Sequence, residues 1–378
     1  MKKPIAGMKH NLLVVLSLIL SVLLCACGGG AKTTTSFNGH IVAPGLEESD
    51  SLKQESAAPE ENSQDASSFS PSAPLSPSKQ QSPSILDEPA LPSTKEELIS
   101  AVNGGRKTEN SFFDRKSEEV VGAYFEDGKA LLIRKITVGE KEDRNVCYIA
   151  DLYLENVKDL VGCVFMDEEG GVVKGSPQYV AEQLGAIFIV NTDFMRGRSW
   201  GLYVRGGRIF RDKPTKGIDV CCLRTDGRME ILDGDTLDGK SLLAQGNVWH
   251  VLTFGPSLLN GDGSPRNDNG EFRINDNYQG WNDDTSYYGF LSPNPRTAMG
   301  QAADGHYIFC VVDGRKEDVS RGMTFPELSH LMYEEGAAVA YNLDGGGSAM
   351  MYYNGAFVNE PAGGRDPSDY FCIIGKEN

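Results

Sequence analysis

Polar residues with the chemistry for catalysis or ligand binding recur at the ends of apolar runs. Asn191 and Asp193 follow "AIFIV" (186–190), Asp313 and Arg315 follow "YIFCVV" (307–312), and Asn342 and Asp344 close "AAVAY" (337–341). Buried strands deliver their ends to a common rim, and polar groups gathered at such a rim build sites. Asp and Asn also favour turns by bonding local backbone, and Asp313-Gly314 is an ordinary turn sequence. Three such ends in one chain point beyond turn chemistry.

Asp344 is followed by Gly345, Gly346, Gly347 and Ser348. Glycine loses more backbone freedom on folding than any other residue. A tight hairpin needs only Asn-Gly, which this chain uses at Asn354-Gly355. Bare main chain lets a ligand come close, and successive N–H groups can form a nest for an anion. Ser348 adds a hydroxyl. The stretch lacks the lysine of a P-loop, and a strained hairpin is the competing explanation. Arg296 and Arg315 are the anion partners: a guanidinium fork grips phosphate through bonds of ~1.5–3 kcal/mol each. Each alone also reads as a surface arginine. Glu327 lies three residues after Thr324 with Pro326 between them, so a helix capping box accounts for it as readily as catalysis does. His250, His306 and His330 share no spacing, His330 reads as structural, and a Ser-His-Asp hydrolase lacks its G-x-S-x-G.

The elements that must position these groups are mostly strands. "KALLIRKITV" (129–138), "RNVCYIADLYL" (144–154), "AIFIVN" (186–191) and "VWHVLTF" (248–254) are β-rich. Gly206-Gly207, Asp226-Gly227 and Asp304-Gly305 mark hairpins. Helices are expected from Ser93, capped with Glu96, to Gly104, over 176–185 with Pro177 at its first position, over 236–244 and over 324–336. "AAVAYNLD" (337–344), "SAMMYYNGAFVN" (348–359) and "YFCIIG" (370–375) complete a sheet. The pattern predicts an α+β domain of mixed β-sheets flanked by a few helices. An Asn/Asp/Gly-dense segment over 261–294 reads as a functional or mobile loop.

Outside that domain the composition changes. Lys2, Lys3 and Lys9 precede an apolar run, Leu12–Ala26, shorter than the ~20 residues that span a bilayer, so residues 1–26 read as a signal peptide. "LCAC" (24–27) resembles a bacterial lipobox, which makes Cys27 the lipidation site and the membrane a partner. Residues 27–92, rich in Ser, Pro, Gln, Ala and Glu, read as a disordered tether reaching on the order of 50 Å, with the folded domain over 93–378. Loss of the signal's three lysines takes the net charge from −17 to −20. Such an acidic protein is repelled by nucleic acid. Six cysteines remain, without a CxxC pair, so a thiolate zinc site is not expected and buried small hydrophobes are.

"NPRTAMG", "VVDGR", "GMTFPEL", "AYNLDGGGSAMMYYNG" and "VNEPAGGR" occur in order from Asn294 to Arg365, after "AIFIVNTDFM" and "FGPSLLNGDG". Together they resemble the phosphodiester glycosidase family from about Tyr148 onward, and "NLDGGGS" is the specific motif. The resemblance implies hydrolysis of a sugar from a glycosyl-1-phosphodiester, in bacteria by envelope proteins linked to exopolysaccharide, teichoic-type polymer or sugar-phosphate conjugates. It implies Asp193, Asp344, Glu327 and Asp313 as the catalytic acids. Substrate would be bound by Asn191, Arg296, Arg315, Asn342, Gly345, Gly346, Gly347, Ser348 and Arg365. A phosphate leaving group tolerates charge, so arginines and N–H groups can stabilise it, while a carboxylate stabilises the cationic carbon or activates water. No cofactor is implied; a divalent cation among the aspartates is left open. Thr192 and Met195 stand where relatives often carry Gly and Phe, which is expected to reshape the sugar pocket. Two other readings remain: a non-catalytic exopolysaccharide-binding or assembly lipoprotein on the same fold, and an ordinary exo-glycosidase. The sugar, its anomer and the aglycone are not encoded in these motifs.

Overall fold

The computed structural model describes residues 39–46, 91–274 and 290–376. The signal peptide, Cys27, most of the tether and 275–289 of the loop lie outside the described residues. The first elements are β1 (His40–Val42), α1 (Lys95–Gly105), β2 (Arg115–Glu126), β3 (Lys129–Val138), β4 (Asn145–Leu154) and β5 (Val161–Met166). Then come α2 (Pro177–Leu184), β6 (Ala186–Asn191), β7 (Leu202–Arg205), β8 (Arg208–Asp212), β9 (Asp219–Arg224), β10 (Met229–Asp233), α3 (Gly239–Leu243) and β11 (Val248–Leu252). The chain finishes with β12 (Arg296–Ala303), β13 (His306–Val312), α4 (Phe325–Glu334), β14 (Val339–Leu343), β15 (Met351–Tyr353), β16 (Ala356–Phe357) and β17 (Asp369–Ile374).

Three sheets result, in the orders β1-β5-β17-β6-β15-β16, β10-β9-β11-β7-β8 and β14-β12-β13-β4-β3-β2. The class is α+β, as expected. The sheets, expected to be mixed, pair antiparallel throughout the described strands. Parallel pairing needs a crossover of a dozen or more residues, usually helical. Here the turns at Gly206-Gly207, Asp226-Gly227 and Asp304-Gly305 return each strand directly beside its predecessor.

Apart from its edge strand β2, the third sheet is buried on both faces, which is why β3, β4 and β13 read as nearly unbroken apolar runs. One face, with Leu131, Tyr148, Phe309 and Tyr341, packs against Phe188, Phe371, Cys221 and Trp249 of the other two sheets. The other face, with Ile136, Ile149 and Cys310, is covered by Phe325, Leu328, Leu331 and Met332 of α4, an apolar stripe at helical spacing. All six domain cysteines are buried free thiols within these layers. Among the described residues no helix is long and apolar enough to cross a membrane.

Three local expectations are corrected. The cap of α1 is Thr94, boxed with Glu97, rather than Ser93 with Glu96; the one-residue shift turns Leu98 and Val102 into the core. Residues 40–42, placed by composition inside the tether, form β1, which pairs Ile41 with Phe165 and Val42 with Val164. Only Ile41 and Val42 of this triplet are apolar, and the strand is docked by the Pro44-Gly45 that follows Ala43: a side chain at Gly45 would collide with the Trp249 ring at 2.5 Å. The helix expected from Thr236 begins only after Asp238, whose carboxylate caps Ser241 N–H.

Candidate active site

Antiparallel register brings the polar strand ends to one rim. Arg296 lies opposite Val312, and Thr297 lies opposite Leu343, so Arg296, Asp313 and Asp344 leave adjacent strands together. Asn191 ties that rim to the first sheet. Its amide donates to the Asp344 carbonyl at 2.5 Å and accepts from the Thr297 hydroxyl at 2.8 Å and from Met350 N–H at 3.0 Å. Fully buried and bonded on both sides, Asn191 holds the glycine turn in place.

The three glycines have different reasons. A Cβ at Gly345 would lie 2.6 Å from the Pro295 carbonyl oxygen. Gly346 has φ +61, and its N–H donates to that same carbonyl at 2.8 Å. Gly347 is roomier, its nearest neighbour being the Arg365 side chain at 3.5 Å. Ser348 N–H closes back on the Gly345 carbonyl at 3.1 Å. The main chain therefore donates inward at Gly346 and Ser348, and the expected anion nest is partly taken up by the fold. Guanidinium groups stand where it opens. Arg315 reaches to 3.2 Å from a Cβ position on Gly346 and is oriented by Asn294, which accepts from its Nη2 at 2.8 Å. Arg315 sits at φ +59, a conformation costing a non-glycine residue ~1–2 kcal/mol and the kind of strain that gathers at functional sites.

Asp344 and Arg365 meet at the mouth. Arg365 Nη2 lies 3.4 Å from the Asp344 carboxylate, and its Nε donates to Ser348 Oγ at 3.0 Å. Its guanidinium lies 5.0 Å from the Phe194 ring centroid. The Asp344 side chain is 6% exposed and that of Arg365 40%. Burial raises the Asp344 pKa to about 6, with Arg365, the Ser348 hydroxyl and Arg198 opposing and Asp369 adding to the rise.

Beneath lies a sealed quartet. Asp193 accepts from Arg198 at 3.0 Å, from Arg205 at 3.3 Å and from Thr253 N–H at 3.0 Å. Asp369 accepts from Arg205 at 2.7 Å and from the Thr192 hydroxyl. Burial pushes the Asp193 carboxyl up while both arginines hold it down. Burial also works against the Arg205 charge, but Asp369 and Asp193 more than offset it. Two acids and two guanidinium groups, ion-paired with one another, form a platform rather than a reacting pair.

The remaining expected residues join the site by support. Arg296 donates to the carbonyls of Met323, Phe290 and Ser292, each at 2.8 Å, and lies 4.2 Å from the Phe325 ring centroid. Burial, then Arg315, lowers its pKa to about 9. Asp313 accepts from Asn359 at 3.0 Å and from Glu360 N–H, anchoring the loop that carries Arg365, and burial raises its pKa. Asn342 donates to the Gly255 carbonyl at 2.8 Å. Glu327 closes the capping box of α4 with Thr324 and pairs with Arg321. His250 is held neutral by burial and Arg205, at about 3, between Leu160 and Gly206. Among the described residues no three His, Cys, Asp or Glu side chains form a metal-binding group. A cavity of about 460 Å³ lies elsewhere, against Tyr124, Glu126, Ile187, Tyr353 and Lys376. Its Glu126 already accepts from Tyr124 and pairs with Lys129.

The phosphodiester glycosidase family model matches residues 184–374, which include the glycine turn, the quartet and Arg365. The chain belongs to the phosphodiester glycosidase family. The SPbeta prophage-derived protein YomE of Bacillus subtilis is 26% identical over 190 residues, 49% of this chain and 27% of YomE. The N-acetylglucosamine-1-phosphodiester alpha-N-acetylglucosaminidase of Mus musculus is 32% identical over 99 residues, 25% of this chain and 19% of that enzyme. The chain thus spans well under a third of these relatives. A zebrafish structure of the corresponding catalytic domain, auto-inhibited by its pro-peptide, superposes with a TM-score of 0.51 at 18% identity. It covers 73% of this chain and 93% of that one, and establishes the fold.

Within this phosphodiester glycosidase fold, the two residues expected to reshape the sugar pocket are both buried. Thr192 is fully buried on Asp369, and Met195 is buried against Val164 and Tyr203. Arg198, Arg205 and Asp369 were not singled out by sequence. Each is a charge at or near a strand end, the same signal that marked Asp193, but Gly206-Gly207 after Arg205 reads as an ordinary hairpin turn, and Arg198 and Asp369 lie outside the quoted motifs.

Proposed function

We propose that this protein hydrolyses a glycosyl-1-phosphodiester, releasing the sugar, outside a bacterial cell and anchored through lipidated Cys27. Its substrates would be envelope polysaccharide, teichoic-type polymer or sugar-phosphate conjugates. The observation that carries this reading is Asp344: a buried carboxyl near 6 at the mouth of a turn flanked by two guanidinium groups. Water adds to C1 as the C1–O bond breaks, and the bonding pair leaves with the phosphate ester oxygen. Arg365 and Arg315 would receive that charge, and protonated Asp344 would give its proton to that departing oxygen, while the proton that water loses passes to solvent.

The test is sugar release from a panel containing a UDP-sugar, methyl phosphodiesters of several sugars and aryl glycosides. Release is expected from the phosphodiesters alone. Asp344→Asn is expected to lower the rate on the order of 10³-fold while a non-cleavable analogue still binds. No release across the panel, or an Asn variant as fast as the parent, would remove the reading. Equal loss on phosphodiester and aryl glycosides in Arg315→Ala and Arg365→Ala would point to an ordinary glycosidase. A second reading, saccharide binding without turnover, draws on the structural engagement of Asp193, Asp313 and Glu327, which leaves Asp344, of the four acids expected to be catalytic, as the one at the mouth. Binding without release separates it.

A further inference from the structure

We propose that Arg365 is a displaceable counter-ion: a bound phosphodiester draws its guanidinium off Asp344, and Asp344 takes up a proton in exchange. The inference rests on the phosphodiester reading of this site. It begins from an unequal grip. The 3.4 Å contact between Arg365 and Asp344 is long beside the ~2.7–2.9 Å of a charge-assisted bond, whereas Arg365 Nε holds Ser348 at 3.0 Å. The arginine is thus fixed to the turn by one nitrogen and turned loosely toward the carboxylate by another. It is also the more exposed partner, at 40% against 6%, and reaches the turn through Gly363 and Gly364.

The other groups facing Asp344 cannot take over. They are Ser348 on the turn itself, Arg198 from the loop after β6 and Asp369 from the start of β17. Arg198 is committed to Asp193 and to the Thr253 carbonyl, and Asp369 to Arg205 and Thr192. An incoming phosphodiester would claim the exposed guanidinium and bring its own negative charge beside a buried carboxylate. Two adjoining anions in a desolvated site are avoided when one accepts a proton. The phosphodiester cannot near neutral pH, so the proton goes to Asp344.

Isothermal titration calorimetry at pH 6.5, in buffers of different ionisation heat, reads the proton directly. The probes are monomethyl esters of C-glycosidic phosphonates of several sugars, N-acetylglucosamine among them, each of which keeps one charge and has no C1–O–P linkage to break. For a rise of about one pKa unit, roughly half a proton is taken up per ligand, and affinity is roughly fivefold tighter at pH 6 than at pH 8. Asp344→Asn should bind with no uptake. Arg365→Gln should bind more weakly and take up less than half as much, because its Asp344 is already protonated. Wild-type binding without uptake, uptake that survives Asp344→Asn, or undiminished uptake in Arg365→Gln overturns the coupling and leaves the phosphodiester reading standing. No binding of any of these probes by the wild type at any pH removes both.

Discussion

At Asp344 the folded chain holds a carboxyl at about 6, against about 3.9 in an unfolded one. Between these values the folded state binds the extra proton, so stability falls as pH rises from about 4 to about 6. Above that a constant penalty on the order of 3 kcal/mol remains. Asp344→Asn should therefore raise the unfolding midpoint at pH 7.5, and the gain should shrink toward zero near pH 4; equal midpoints at pH 7.5 would show that the carboxyl carries no such penalty. Glu327 is a different acid. Its carboxylate is occupied by Thr324 and Arg321, so Glu327→Ala should cost about 0.5–2 kcal/mol of stability with kcat within a few-fold. A folded variant with a thousandfold lower kcat would return Glu327 to the chemistry. Residue types and strand-end positions made the rim legible in sequence. The partner each acid faces was not, because Asp193, in the loop after the first sheet's β6, finds Arg205 at the end of the second sheet's β7, and Asp369 arrives from more than 170 residues away.

Among the elements, the glycine turn gives the sharpest ranking. Gly345→Ala forces a methyl against the Pro295 carbonyl at 2.6 Å, and Gly346→Ala adds a side chain at φ +61 beside Arg315, whereas Gly347→Ala meets only an ordinary 3.5 Å contact. Chemical denaturation should rank the losses with 345 and 346 well above 347, each of the first two at ~1–2 kcal/mol or more; a Gly347 variant as damaged as the others would contradict this geometry. Strands buried on both faces were readable as apolar runs, and α4 as a capped amphipathic helix. β2 was not, because "RKSEEVVGAYFE" is charged and exposed over most of its first half, at a sheet edge. β1 was hidden by its setting: three residues beside a long polar stretch carry too little periodicity to separate from a tether.

For the whole molecule, the sealed quartet joins the first sheet, through Asp369, to the second, through Arg205. Arg205→Leu leaves two buried carboxylates short of a partner and should cost about 3–5 kcal/mol. Urea unfolding that showed a loss below ~1 kcal/mol would mean the acids are neutral or find other donors. The N-terminal strand makes a second, separate junction. Pro44 and Gly45 cross from the edge of the first sheet to Gly206 and the Trp249 indole of the second, and Trp249 donates to the Leu160 carbonyl at 3.1 Å. Trp249 is consequently a built-in optical gauge: its emission stays blue while residues 39–46 shield the ring, and undocking of that short strand alone would redden it before the remaining layers melt.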